Sequence, residues 1–177
     1  MTDQQAEPLC ARCARVQKTC CQSPEIYVTP GDVRRLAALH PGLDFWHYRR
    51  AESPEGTEHD DDPQWYRTFC DDGSRRVLRQ REGADCIFLG PAGCTMQLES
   101  RPLICRLYPL DYTAEGFRPY DAPRCPTQLL APSQTLLGAL DMSAEGGEAW
   151  RAQLYEEIKE EPNPPIAPAK RKRSSQG

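Results

Sequence analysis

The sequence predicts a small α+β domain, irregular in build, in which short helices and hairpins gather around cysteines. Three observations carry that reading. Nine cysteines stand in 177 residues, concentrated at two places in the chain. Glycine, proline and Asp-Gly steps cut the chain into short pieces. Only 38% of the residues are hydrophobic and mean hydropathy is −0.71, so little apolar surface is on hand for a large core.

Taken in order, residues 1–9 are polar and read as a mobile start. Residues 10–21 read as an irregular segment, C-x2-C-x6-C-C, built on Cys10, Cys13, Cys20 and Cys21. Arg12, Arg15 and Lys18 lie in it without an acid, and positive charge beside a thiol favours its ionised form. A solvated loop is the plainer reading of those three. Residues 26–28 are a short apolar run. Thr29, Pro30 and Asp32 then form a helix start of the capping-box kind. Val33, Leu36, Ala37 and Leu39 give that helix an apolar face, and it should end near His40. Residues 43–51 read as a short helix or turn supplying Phe45, Trp46 and Tyr48. Residues 52–63, acidic and proline-bearing, read as an exposed loop. Asp60, Asp61 and Asp62 could hold a cation there, but a solvated charge run is the commoner case.

Residues 65–70 and 76–80 read as two strands around Asp71-Asp72-Gly73-Ser74, a hairpin signal. Cys86 opens a short strand, Gly90, Pro91 and Gly93 mark a turn, and Cys94 follows it. Ser100 is a candidate N-cap, with Pro102 in the first turn of a short helix that carries Cys105 and stops before Pro109. Residues 110–113 and 117–120 flank Ala114-Glu115-Gly116 as another hairpin, which leads to Cys125. A helix capped by Ser133 is expected over 133–140. A longer one is expected over 148–160, with Trp150, Leu154, Tyr155 and Ile158 on one face. The proline-rich, then basic end, from Asn163 through Lys170 to Arg173, reads as a disordered tail. The organisation is thus a mobile start (1–9), a cysteine-bearing domain (10–126), a C-terminal helical extension (127–161) and a basic tail (162–177).

A C-x2-C pair presents two sulfurs to one ion, and a strand, a turn and a helix deliver three more thiols from downstream. Disulfides would need an oxidising compartment, and no signal-like apolar core precedes residue 10. Metal ligation is therefore preferred, in a cytoplasmic setting. All-sulfur ligation suits zinc, iron–sulfur clusters and cuprous copper, and disfavours magnesium and calcium. The net charge of −4 gives no general attraction to nucleic acid. The basic tail offers at most a weak contact, and no stretch approaches a membrane span. His40, His47 and His59 lack a partner at ligand spacing. Cys70 reads as a buried thiol.

At these motifs the chain resembles the YkgJ-type cysteine-cluster proteins, a family described as a zinc- or iron-chelating domain with a C-x2-C-x2-C-C signature. The matching residues are Cys86-Ile87-Phe88-Leu89, Gly93-Cys94, Arg101-Pro102-Leu103-Ile104-Cys105-Arg106-Leu107-Tyr108-Pro109 and Cys125-Pro126. Six residues separate Cys13 from Cys20 where the signature has two. The resemblance spans roughly residues 10–126. It implies a metal ligand set of Cys10, Cys13, Cys20, Cys21, Cys86, Cys94, Cys105 and Cys125, holding Zn2+ or an iron–sulfur cluster.

Those eight thiolates could close two tetrahedral four-cysteine sites, or hold one four-iron cluster with the rest elsewhere. The resemblance extends to a cysteine motif of the flagellin lysine methylase, which is linked to an iron–sulfur cluster. That implies, as an alternative, an iron–sulfur-dependent redox or protein-modification enzyme, or an accessory to one. A third reading is an adaptor with purely structural zinc, whose C-terminal helix contacts a protein partner. A glycine-rich nucleotide loop, a Ser/His/Asp arrangement and the C-x3-C-x2-C spacing of radical enzymes are all missing from the sequence. Arg106, beside Cys105, is expected to support the site by compensating its negative charge.

Overall fold

Thr29 starts a helix as its sequence requires. Its hydroxyl accepts from the Asp32 N–H at 2.9 Å, and the Asp32 carboxylate accepts from the Thr29 N–H at 3.2 Å. This capping box opens α2 (Pro30–Leu39), one element of a computed structural model that describes residues 7–22, 25–50, 62–82, 84–119, 122 and 124–161. Before it come α1 (Leu9–Val16) and a 3-10 turn at Cys20–Gln22. After it come β1 (Trp46–Arg50), a 3-10 helix at Pro63–Thr68, β2 (Ser74–Leu78), β3 (Leu89–Gly90) and β4 (Gly93–Cys94). The chain continues through α3 (Leu103–Leu107), β5 (Asp111–Thr113), β6 (Gly116–Arg118), α4 (Leu136–Ala139) and α5 (Ala144–Lys159). The α+β class holds: helices alternate with three two-stranded antiparallel sheets, β1–β2, β3–β4 and β5–β6.

Several segments differ from expectation for local reasons. Residues 43–51 hold a strand rather than a helix. Trp46 to Arg50 pair with Leu78 to Ser74, because alternating aromatic side chains suit a pleated, half-buried surface. Residues 65–70 are not its hairpin partner. Pro63 sits at a helical first position and Asp62 accepts from the Gln64 N–H at 3.2 Å, so the chain starts a 3-10 helix instead. The turn at 71–74 does form, with Gly73 at a φ of 77°, but it feeds β2 toward β1. Cys10 and Cys13 lie on a regular helix, not on an irregular segment. Ser100 closes a 3-10 turn and does not cap α3, whose flanking Pro102 offers no side-chain cap. Thr135 rather than Ser133 caps α4, and Ser143 starts α5 before residue 148. The β5–β6 hairpin forms where expected. Residues 51–61, with His59, Asp60 and Asp61, lie outside the described residues, as do 1–6 and the basic tail.

Two apolar clusters carry the domain. One joins Ile26, Val28, Leu36, Phe45 and Leu78 to Cys86 and Phe88. The other joins Tyr27, Trp65, Leu103, Leu107, Leu154 and Ile158. The second cluster makes α5 a core element of the same body: Leu154 and Ile158 are fully buried against α3. Buried polar groups lock α5 in place. Glu157 accepts from Arg35 at 2.5 Å and from the Thr29 hydroxyl. Glu161 takes the Tyr27 hydroxyl at 2.7 Å together with the Arg76 guanidinium. Asp62 is buried rather than solvated, accepting from the Ala114 N–H at 3.1 Å and from the Tyr155 hydroxyl.

Candidate metal centre

The local sequence delivers the thiols from separate elements. Cys10 and Cys13 share one face of α1, three residues apart. Cys20 and Cys21 form the 3-10 turn that follows. Cys86 bridges to Gln80, and its N–H donates to the Cys21 carbonyl at 2.8 Å, which brings the upstream and downstream motifs together. Cys94 ends the β3–β4 hairpin opposite Leu89. Cys105 sits midway along α3. Cys125 is drawn to α1 by two bonds across its flanks: Gln17 donates to the Arg124 carbonyl at 2.8 Å, and Arg12 to the Leu129 carbonyl at 2.5 Å.

All eight of these cysteines line one cavity of about 360 Å³. The ninth, Cys70, does not, and neither do His40 or His47. The His40 ring rests on Phe88 with centroids 5.1 Å apart, and His47 lies on β1. Two details place the walls. Gly93 has a φ of 91°, and a Cβ there would stand 3.1 Å from the Cys10 carbonyl oxygen. Glycine is therefore needed both for the turn and for the close approach of α1. The Leu103 N–H, at the head of α3, donates to Asp32 at 3.1 Å. One carboxylate thus caps α2 and α3 together and fixes the helix that carries Cys105.

The thiols press on one another. The Cys20 thiol bonds to Cys21 and, with burial and its neighbours, pushes Cys21 up to about 12. Cys94 is raised further, chiefly by its bond to Cys21 and by burial. Burial raises Cys10, Cys13, Cys86 and Cys105, and pushes Cys125 up to about 11. The expectation that Arg12, Arg15 and Lys18 would ionise the upstream thiols is corrected for Cys10 and Cys13. Desolvation wins there, because Arg15 turns to Glu7, Arg12 turns to Leu129, and Lys18 is exposed.

The cation of the cavity is Arg101, not Arg106. Burial alone would lower the pKa of Arg101, but Cys94, Cys10 and Cys105 outweigh it and hold the guanidinium charged, with a hydrogen bond to Cys10. Arg106 points the other way. It donates to the Arg101 carbonyl at 2.6 Å, and burial followed by Arg35 lowers its pKa. Neighbours on a helix do not share a face, so residue 106 diverges from Cys105, while Arg101, ahead of the helix, can fold back over it. That spacing rule was available in the sequence. The double cap by Asp32 had no local signal, since its second partner lies 71 residues away.

Among the described residues, no group of three or more His, Cys, Asp or Glu side chains stands at the spacing that would hold one metal ion. Also among them, no helix is long and apolar enough to cross a membrane. No family model matches the chain, and no curated protein or solved structure matches it.

Proposed function

We propose that this chain is a cysteine-cluster metal-binding protein that holds zinc or an iron–sulfur cluster in the thiol-lined cavity, as its resemblance to the YkgJ-type proteins implies. The observation that carries the reading is selective convergence: eight motif cysteines from five stretches of chain line one cavity, and Cys70 is left out. The donor set fits a soft ion. Eight thiols supply only sulfur ligands, and Arg101 lies among them to offset thiolate charge. The hydroxyl of Thr19, on the cavity wall, is buried without a hydrogen-bond partner, so the lining retains polar capacity.

Zinc held by four thiolates would be structural, whereas an iron–sulfur cluster would add electron transfer. The chain's own part is to orient the sulfurs, keep the cavity wall apolar on the Ile26 and Phe88 side, and place Arg101 against the charge. Binding must displace thiol protons, because the sulfurs are held neutral by burial and by each other. The adaptor reading loses its motive, since the apolar face of α5 is spent inside the domain.

The test is anaerobic purification of the full chain, followed by metal analysis, a visible spectrum and thermal melting before and after strong chelation. Zinc, or iron with sulfide, should co-purify, and chelation should abolish cooperative unfolding. Cys70→Ser should keep the metal and Cys86→Ser should lose it. A metal-free protein whose melting ignores chelators would end the proposal.

A further inference from the structure

The eight thiols do not form one even ring. Cys86 lies inside the apolar cluster of Ile26, Leu36 and Phe88, and Cys21, Cys94 and Cys105 pack against that same cluster. Cys21 and Cys86 are joined through their backbones, Cys21 and Cys94 through their sulfurs. Cys105 stands within electrostatic reach of Cys21, Cys86 and Cys94, and Cys86 within reach of Cys94 and Cys21. Each of these four therefore meets the other three.

Cys10, Cys13 and Cys125 stand apart from that apolar cluster. Two belong to one face of α1, and the third is tied to α1 by the bonds from Gln17 and Arg12. Each of the three meets the other two. The two sets touch where Cys10 nears Cys94, and Arg101 reaches both. Cys20 sides with the first set, because its sulfur bonds to Cys21.

We propose that the cavity holds two separate centres: a closed one on Cys21, Cys86, Cys94 and Cys105, and an open one on Cys10, Cys13 and Cys125 whose fourth position accepts a thiolate from a small molecule. This rests on the metal-binding reading above. Four thiolates complete a tetrahedral ion, and three leave a position that structural sites do not have. The class of the fourth donor follows from its surroundings. A soft, sulfur-bound ion prefers another sulfur. Arg101 bonds to Cys10, and Arg124 beside Cys125 also lines the cavity, so an anionic donor is favoured over a neutral one. Binding there is a ligand addition: the incoming thiol gives its proton to solvent, its sulfur bonds to the metal, and no electron moves.

Cobalt(II) serves as a coloured tetrahedral probe. The full chain, reduced with a phosphine and kept free of thiols, is loaded with cobalt and then titrated with 2-mercaptoethanol. The wild type should take up about two equivalents, and about half of its cobalt band should shift with added thiol. Cys86→Ser/Cys105→Ser should keep about one equivalent, all of it thiol-responsive, and Cys13→Ser/Cys125→Ser about one equivalent that ignores thiol. Cys20→Ser should change neither the uptake nor the shift. A single equivalent lost in both double variants would overturn the two-centre arrangement and leave the metal reading standing. A spectrum that ignores thiol until Cys20 is replaced would overturn the open position by making Cys20 its ligand. No cobalt uptake by the wild type would overturn the metal reading itself. If a double variant fails to fold, the wild-type stoichiometry and half-shift still decide the matter.

Discussion

Around α5, carboxylates meet donors; around the cavity, thiols meet thiols. Asp32, Asp62, Glu157 and Glu161 are all buried, and each accepts hydrogen bonds from other elements of the chain. Their pairings use distant residues, and the half of the domain built on them is complete within the polypeptide. The sulfur half is joined differently. Cys21 bonds to Cys20 and Cys94, Cys10, Cys13 and Cys125 crowd one another, and a single guanidinium is shared among three thiols. The difference teaches where stability and function divide. The carboxylate half can stand as a scaffold, and the sulfur half presents a donor set suited to something from outside. Asp32 joins the two, since it is paired with Arg35 on one side and caps the Cys105 helix on the other.

Breaking that joint should have the largest effect. Asp32→Ala leaves the Thr29 and Leu103 N–H groups and the Arg35 guanidinium without their acceptor. It should cost about 3–5 kcal/mol in urea unfolding and lower metal retention as well. Asp32→Asn keeps one acceptor oxygen and should cost less. Equal stability of Asp32→Ala and wild type would show that the two halves are held together elsewhere.

The next effect separates the halves. Arg101→Ala should weaken metal binding about 10- to 100-fold in competition with a chelator, with Arg101→Lys between it and wild type. Arg106→Ala should leave that affinity unchanged and cost about 1–2 kcal/mol in unfolding, since the Arg101 carbonyl loses its donor. The reverse pattern would return Arg106 to the cavity. A smaller change is expected from Gly93→Ala, about 1–2 kcal/mol for an L-residue in left-handed backbone. That variant also meets the Cys10 carbonyl, so metal bound through Cys10 and Cys13 should be lost before metal bound through Cys86 and Cys105. Loss of both together would contradict the separation.

The sequence made the sulfur half legible to an unequal degree. The eight cavity cysteines could be named, and so could the turn at Gly90 to Gly93 and the short helix under Cys105, because turn chemistry and thiol spacing are local signals. The capping box at Thr29 and Asp32 was legible for the same reason. The carboxylate half was not. Tyr27 and Glu161 meet across 134 residues, and Asp62 and Tyr155 across 93, and no local pattern announces such pairs. Asp62 instead resembled a solvated charge run. Trp46 to Arg50 became a strand because β2 offered an edge, which is a tertiary fact. The misplacement of Arg106 has another origin: adjacency in sequence was read as adjacency in space, which a helix does not allow.

The smallest and most gradual effect concerns pH, and its sign distinguishes the halves again. In the metal-free protein, burial pushes Cys125 from the ordinary 9.0 to about 11, and the Cys20 contact with burial pushes Cys21 to about 12. A group whose pKa is raised by folding binds its proton more tightly in the folded state. The stability it contributes is full below the unfolded value near 9.0 and is lost as pH climbs toward the folded value. The chelated protein should therefore melt at a nearly constant temperature through neutral pH, then progressively lower above pH 9.0, the decline continuing through about 11. With metal bound the thiol protons are already gone, so the melting temperature should hold through that same alkaline window, and metal uptake at neutral pH should release protons measurable in weakly buffered solution. Cys125→Ser should flatten part of the alkaline decline in the chelated protein, whereas Cys70→Ser, outside the cavity, should leave the curve in place. A chelated protein that gains stability above pH 9.0 would mean that the thiols are ionised in the fold, and that the cavity is governed by cations such as Arg101 rather than by burial.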